Sequence, residues 1–258
     1  MKIDNIKKIM LGHLAVDVEL VIITPLKSTF RKLKEQLEIG EVYRNVFFEN
    51  CVFKIKKNNK RGIIILSPQG IASKDIVELF ENTKILFFGL AGSLNPQLEI
   101  GTFVEIDTAI NGKERVKLIT TGNFLTVKCG YSPCLIGKMA KKYCEIARKR
   151  NCDVVDMETE ICAKTAKENN NQFIALLLVS DIPEIINFWE IPENIKIKFA
   201  EGRKIAIDKI IDYTNILTWE EWNKKWMKKY LLNILKPQVN VIILVQYVFQ
   251  EQEIVTLI

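Results

Sequence analysis

Short, almost uninterrupted apolar runs alternate with charged helical stretches over most of the chain. The runs VELVIIT (18–24), KILFFGLAGSL (84–94) and QFIALLLVSD (172–181) each have about the length of one strand and contain few polar positions. Strands that are apolar on both faces are typical of a mainly parallel sheet that is covered by helices on each side. The pattern therefore predicts an α/β fold in three layers, with a central mixed, largely parallel twisted sheet flanked by helices.

Composition narrows the classes of function. The chain has 258 residues, is 48% hydrophobic and carries a net charge of +6 from lysines dispersed along its length. Because it has no arginine-rich run, no zinc spacing and no aromatic-interleaved basic motif, we expect no nucleic-acid partner. One histidine and six scattered cysteines without a C-x-x-C pair argue against a metal site. With no secretory signal and no apolar run long enough to span a bilayer, we expect a cytoplasmic protein with reduced cysteines and no membrane partner.

The last part of the chain differs from the rest. A tryptophan-rich helix is predicted at 218–237, and strands are predicted at 239–249 and 253–258. Exposed apolar strands need a cover, which favours an additional edge hairpin or a subunit contact. We therefore predict one domain over 1–214 and a C-terminal extension over 215–258 that packs on that domain or at a subunit interface.

Small or polar residues follow the predicted strands at four places. These are Thr24-Pro25, Gly89–Gly92, Asp156–Glu158 and Ser180-Asp181. In open α/β sheets ligands bind beyond the carboxyl ends of strands, so these four places are the expected site.

Each of these features also has a purely structural explanation. Glu158 is a candidate first-turn acid that the helix dipole favours. Ser180, Asp181, Pro183 and Glu184 fit a helix start, with a capping side chain and an early proline. The glycines of 89–92 fit a tight turn, which also lets backbone approach a ligand. For Glu158 or Asp181 alone the structural explanation is favoured; together with the glycine segment they favour a functional site.

Several segments, in order, resemble the purine nucleoside phosphorylase and methylthioadenosine/S-adenosylhomocysteine nucleosidase superfamily. They are VIITPLKSTF, ILSPQGIAS, FFGLAGSLNPQLEIGTFVEID, ITTGNF, VVDMETEICAKTA and LLLVSD, and together they cover most of residues 17–185. The resemblance implies a phosphorylase/hydrolase-like fold and a site for a purine nucleoside.

The resemblance also implies roles for single residues. Met157 is expected to pack on the ribose and Glu158 to bind the ribose hydroxyls. Asp181 is expected to donate a proton or hydrogen bond to the departing purine, and backbone of the TTGNF segment to lie beside the base. The expected site residues are, as catalytic groups, Asp181 and Ser180, and, as substrate-binding groups, Met157, Glu158, Asp156, Gly92, Ala91, Asn123, Phe124, Leu125 and Thr24.

The sequence departs from the superfamily pattern in three places. Thr29 stands where the nucleosidases carry a glutamate that helps to activate water. Phe87-Phe88 stands where the phosphorylases carry a phosphate-binding arginine. The TAINGKERV segment (108–116) is much shorter than the usual excursion, which predicts a pocket that is more open on the 5′ side, or one rebuilt by the tail or a partner subunit.

We therefore predict a hydrolase that cleaves the N-glycosidic bond of a purine nucleoside and uses no cofactor. The substrate class is one like methylthioadenosine or S-adenosylhomocysteine, and a homodimer is expected by resemblance. Two alternatives stay open. One is a relative that binds a nucleoside or nucleotide without catalysis, as a sensor or scaffold. The other is a phosphorylase with a rearranged anion site, using Lys27, Ser28 or Ser93.

Overall fold

A computed structural model describes residues 6, 9–12, 18–44, 49–56, 59–134, 136–186 and 191–216, with side chains to 214. Ten strands form one mixed sheet. They are β1 Leu20–Thr24, β2 Ile39–Arg44, β3 Glu49–Lys54, β4 Arg61–Leu66, β5 Lys84–Ser93, β6 Phe103–Asn111, β7 Glu114–Lys117, β8 Leu125–Tyr131, β9 Val154–Asp156 and β10 Gln172–Asp181. The α/β class predicted from the apolar runs is confirmed.

Strand β5 organises the sheet because different strands flank its two halves. On one side, parallel β1 pairs with its first half, up to Ile23 opposite Phe87. Antiparallel β9 pairs with its last residues, with Val155 opposite Gly92. The carboxyl ends of β1 and β9 therefore point towards each other and leave a gap beside residues 88–91. On its other side β5 pairs with β10 along its whole length.

Parallel and antiparallel pairings together build the rest of the sheet. β10 pairs antiparallel with β6, whereas β6 pairs parallel with β8 and β8 parallel with β9. Together with β5 these strands close a circuit, and the antiparallel β3–β4 pair extends the opposite edge. Strand β2 was not predicted. Most of its residues are exposed, and its sequence lacks the apolar run of a core strand.

The helices cover the sheet from both sides. They are α1 Lys27–Gln36, α2 Ser73–Val77, α3 Gly137–Lys149, α4 Thr159–Glu168 and α5 Glu193–Ile216, and a 3₁₀ turn at Gly70–Ala72 leads into α2. α2 packs against α4, α1 against α5, and α3 against β8. Ser73, a cap candidate by residue type, does not cap α2: Ala72 holds the N-cap position and the Ser73 hydroxyl donates to the carbonyl of Pro68 at 2.6 Å.

The predicted tail elements at 218–237, 239–249 and 253–258 lie outside the described residues, so they stay predictions, as does the division at 214/215. Among the described helices, none is long and apolar enough to cross a membrane. All six cysteines are free thiols.

Candidate functional site

A cavity of about 540 Å³ lies at the gap beside β5. That volume is in the range of small-molecule sites. Seven of the predicted site residues line it: Ala91, Gly92, Asp156, Met157, Glu158, Ser180 and Asp181. The four strand ends singled out in the sequence thus meet at one cavity, although β9 reaches it from the direction opposite to β5 and β10.

A β-bulge at the end of β10 sets the direction of Asp181. In the pairing with β5, Val179 lies opposite Ala91 but Asp181 lies opposite Gly92, so Ser180 is the extra residue. Bulges re-aim side chains and occur next to active sites. Here the Ser180 hydroxyl donates to Asp181 Oδ1 at 2.5 Å. No helix begins at this point, since Ile182 forms an isolated bridge with Ile186, so the helix-start explanation for Ser180 and Asp181 is wrong.

Gly92 leaves room for the Asp181 carboxyl group and for the turn that follows it. A Cβ atom at Gly92 would lie 2.6 Å from Pro183 Cγ and 3.3 Å from Asp181 Oδ2. Only a residue without a side chain permits this approach. The glycine predicted near a ligand therefore acts first by admitting Asp181 and Pro183 to the cavity wall.

We expect Gly92→Ala to lower the free energy of unfolding by about 1–3 kcal/mol, because the added methyl group overpacks against Pro183. Denaturant unfolding measures this change. Gly40→Ala on β2 is the matched control, since its Cβ would meet only Val52 O at 3.8 Å, an ordinary contact. Equal stability of the two variants would contradict the close approach at Gly92.

Asp181 has the surroundings of a proton donor. Burial raises the pKa of its carboxyl group, while the hydrogen bond from Ser180 acts in the opposite direction. A raised pKa keeps a larger fraction of the acid protonated near neutral pH. Because Ser180 donates to Oδ1, Oδ2 remains the oxygen that can carry the proton.

Glu158 reaches across the cavity to a distant loop. It occupies the N-cap position of α4, yet its side chain makes no capping bond. Instead its Oε1 accepts a hydrogen bond of 2.6 Å from the backbone N–H of Gly70, 88 residues away. Gly70 has φ +69, a left-handed conformation that glycine adopts without strain. The helix-dipole explanation for Glu158 is therefore insufficient, because the carboxylate is bonded to Gly70 and makes no capping bond to α4.

Asp156, and not Glu158, supplies the side-chain oxygens that accept from the start of α4. Its Oδ1 and Oδ2 lie 3.2 and 3.0 Å from the Thr159 backbone N–H, and the Thr159 hydroxyl and Cys129 Sγ also donate to it. Its oxygens are already occupied within the protein, so we assign Asp156 a structural role at the start of α4.

The two acids influence each other. Burial, and then the charge of Asp156, raise the pKa of Glu158 to about 7. Burial raises the pKa of Asp156 to about 6, against the hydrogen bonds from Thr159 and Cys129. Carboxyl groups with pKa values this close to neutrality mark candidate functional sites. Glu158 thus changes charge within the physiological range.

Met157 lies between these acids and lines the cavity. Its Cε lies 3.4 Å from the position that a Cβ of Gly70 would take. Met157 therefore forms an apolar wall beside the Glu158–Gly70 hydrogen bond, while Leu90 and Ala91 of β5 line the cavity as well.

The structure does not bring four of the predicted residues to the cavity. Asn123, Phe124 and Leu125 lie at the start of β8, whereas the strand's other end leads into the cavity wall at Ser132, about 20 Å further along the chain. Phe124 packs instead edge-on against Phe103, with ring centroids 5.0 Å apart. Thr24 is fully buried, and its hydroxyl accepts a hydrogen bond from the Leu26 backbone.

Strand β8 is not among the strands that the sequence predicted, and its carboxyl end brings a different segment to the cavity. The segment that leads from β8 into α3 contributes Ser132, Cys134, Ile136 and Gly137 to the cavity. The missed signal was the small-residue segment CGYSPC directly before a helix, the same pattern that identified the other strand ends.

The residues that stand in place of the superfamily's glutamate and arginine are buried in the core and do not line the cavity. Thr29 is fully buried in α1, three residues after Leu26, the last position that the adjoining loop contributes to the cavity. Phe87 and Phe88 are fully buried in β5. The alternative anion site was predicted from Lys27, Ser28 and Ser93. None of these three residues lines the cavity.

Within the described residues, no group of three or more histidine, cysteine, aspartate or glutamate side chains is placed to hold a metal ion. The polar lining of the cavity consists mainly of carboxyl and hydroxyl groups, together with Lys141, Gln69 and backbone. This set suits a neutral polar ligand with hydroxyl groups and ring nitrogens.

Comparison with known proteins places the fold. No protein-family model and no curated protein matches the sequence. Among solved structures, the 5′-methylthioadenosine/S-adenosylhomocysteine nucleosidase of Campylobacter jejuni matches with a TM-score of 0.65 at 16% identity, over 78% of this chain and 100% of that one. A futalosine hydrolase mutant of Helicobacter pylori matches with a TM-score of 0.61 at 11% identity, over 78% and 100%.

The S-adenosylhomocysteine nucleosidase of Streptococcus pyogenes, solved with 5-methylthiotubericidin, matches with a TM-score of 0.59 at 15% identity, over 79% and 99%. At identities of 11–16% these matches show a shared arrangement of strands and helices, that is, the fold alone. The resemblance seen in the sequence motifs is thus confirmed at the level of the fold: this chain has the nucleoside phosphorylase/nucleosidase fold.

Proposed function

We propose that this chain is a hydrolase that cleaves the N-glycosidic bond of a purine nucleoside and releases the base. The observation that carries the proposal is the joint presence, in one cavity, of Asp181 oriented by Ser180 and Glu158 held by Gly70. The fold shared with nucleosidases adds to it, although fold alone does not fix function.

The reaction requires Asp181 and Glu158 in different protonation states. Breaking the bond builds negative charge on the departing base and positive charge on the sugar. Protonated Asp181 gives its proton, from Oδ2, to the ring nitrogen of the base, while Ser180 continues to donate to Oδ1. Ionised Glu158 accepts hydrogen bonds from the sugar hydroxyls and lies close to the developing cation, which it stabilises. Met157 is proposed to pack against the sugar ring.

In this scheme the attacking water needs no strong general base. Thr29 offers no base, so a dissociative route fits best, in which the bond to the base is largely broken before water bonds to the sugar carbon. The proton that water loses then passes to a carboxylate of the cavity. A placed general acid supplies roughly 10²–10⁴ in rate, about 3–5 kcal/mol, without an early glutamate.

The non-catalytic alternative retains support from Thr29. The phosphorylase alternative stays a prediction, although none of Lys27, Ser28 and Ser93 lines the cavity. The homodimer and a cytoplasmic location stay predictions.

Base release from a panel of purine nucleosides, including 5′-thio-substituted ones, separates the three functions when it is followed by chromatography with and without phosphate. Release without phosphate is the expected result. Release only with phosphate would identify a phosphorylase. Binding by calorimetry without any release would identify a relative that lacks catalysis.

A further inference from the structure

Glu184 is a cavity residue that the proposed reaction does not use. It lies three positions after Asp181, lines the same cavity and has φ +73. A left-handed backbone at a residue other than glycine is strained, and such strain persists where the surrounding structure enforces it, often at functional sites. Pro183 against Gly92 and the Ile182–Ile186 bridge hold the turn in this conformation.

A cation on α3 lies beside the side chain of Glu184. Arg148 Nη1 lies 3.7 Å from Glu184 Oε1, and both side chains are partly exposed. At this distance the pair is an ion pair without a hydrogen bond. Among the described residues no hydrogen bond reaches the Glu184 carboxylate, so both oxygens keep their capacity to accept one from a ligand.

The position of Glu184 relative to the other acids defines which part of a ligand it meets. Glu184 stands three residues after Asp181 and is paired with Arg148 of α3, whereas Glu158 accepts the hydrogen bond from Gly70. Asp181 therefore adjoins the α3 end of the cavity, and Glu158 lies at the Gly70 end. If Glu158 binds the sugar and Asp181 protonates the base, the remote edge of the base points towards α3 and Glu184.

We propose that Glu184 determines base specificity by accepting a hydrogen bond from an N–H group on the edge of the purine remote from the sugar. This inference rests on the proposed function for the orientation of the ligand. The preferred bases are those that carry an amino group at C6 or a protonated ring nitrogen beside it. An unsubstituted purine, with hydrogen at C6, offers no donor there and leaves the carboxylate unpaired.

The test compares 5′-methylthioadenosine with the matched nucleoside that carries hydrogen in place of the 6-amino group. Glu184→Gly removes the carboxylate and relieves the backbone strain, and Glu184→Gln keeps an acceptor of equal size. We expect Glu184→Gly to lower kcat/KM roughly 10- to 100-fold for the amino substrate, the range for a hydrogen bond to a charged group. The value for the 6-hydrogen substrate should change less than about twofold, and Glu184→Gln should lie between. Glu145→Gln, an exposed acid on α3 outside the cavity, is the control.

An equal loss for both substrates would overturn the proposal, since it would leave Glu184 only a role in positioning the Asp181 turn. No loss for either would overturn it too. Calorimetry with free adenine and free purine separates this inference from the proposed function. Tighter binding of adenine that Glu184→Gly removes would support base recognition even if no nucleoside is cleaved. If base is released but wild type treats the 6-amino and the 6-hydrogen compounds alike in both assays, the inference fails and the proposed function stands. If no nucleoside or base binds and no nucleoside is cleaved, both fail.

Discussion

Asp181→Asn is expected to slow base release roughly 10²–10⁴-fold, because asparagine keeps the shape of the side chain but has no proton to give to the departing base. The fold should not suffer. Burial raises the pKa of Asp181, so its ionised form is unfavourable in the folded state, and a neutral amide removes that disadvantage. The expected signature is therefore a large loss of kcat with an unfolding free energy equal to or above that of wild type.

Asp208→Asn, which changes an exposed acid on α5, is the control for this experiment and should leave the rate unchanged. Steady-state base release and denaturant unfolding, measured on the same preparations, give both quantities. A loss of less than tenfold in rate for Asp181→Asn would show that the leaving base is not protonated by this residue.

Glu158→Gln is expected to have opposite effects on activity and stability. Activity should fall roughly 10- to 100-fold, since the amide loses the charge-assisted hydrogen bonds to the sugar hydroxyls. At neutral and alkaline pH the free energy of unfolding of the variant should exceed that of wild type. The folded pKa of about 7 exceeds the ordinary 4.5, so between these values the folded chain holds a proton that the unfolded chain has lost. The wild-type free energy of unfolding therefore falls as pH rises through this window.

The difference between wild type and Glu158→Gln should approach about 3 kcal/mol above pH 7 and vanish near pH 4. Denaturant unfolding across this pH range measures it, with Glu168→Gln, an exposed acid at the end of α4, as control. In activity, kcat/KM of wild type should rise with pH as Glu158 ionises and fall as Asp181 loses its proton, because the proposed reaction needs ionised Glu158 and protonated Asp181 together. Asp156→Asn should move this rise to lower pH, because asparagine caps a helix as well as aspartate and removes the charge that acts on Glu158. A wild-type stability that does not depend on pH would contradict the buried, raised-pKa carboxyl group.

The parts of the fold that the sequence predicted are those with strong local signals. β1, β5 and β10 are apolar along nearly their whole length, and helices α3 and α4 have clear amphipathic periodicity. The α/β class followed from these elements. β8 was missed because Lys128 and the small residues around it interrupt the apolar pattern. The expectation that residues 123–125 lie beside the base came from the resemblance, and these residues do not line the cavity.

The site was predictable in part, because some of its residues stand in short local motifs. Asp181, Glu158 and Met157 stand in short motifs that resemble those of a known superfamily, so the sequence identified them without knowledge of their contacts. The bulge at Ser180, the bond from Gly70 to Glu158 and the strained turn at Glu184 arise from pairings between residues distant in the chain. No local pattern encodes them, and for that reason the division of roles between Asp156 and Glu158 came only from the structure.

The most direct test of the central claim is release of free base from 5′-methylthioadenosine by the purified chain in phosphate-free buffer, followed over many turnovers and compared with Asp181→Asn. The account predicts sustained release by wild type, unaffected by added phosphate, and its near-complete loss in the variant. Equal release by the two proteins, or none by wild type while the nucleoside binds, would contradict the claim that Asp181 and Glu158 form a hydrolytic site.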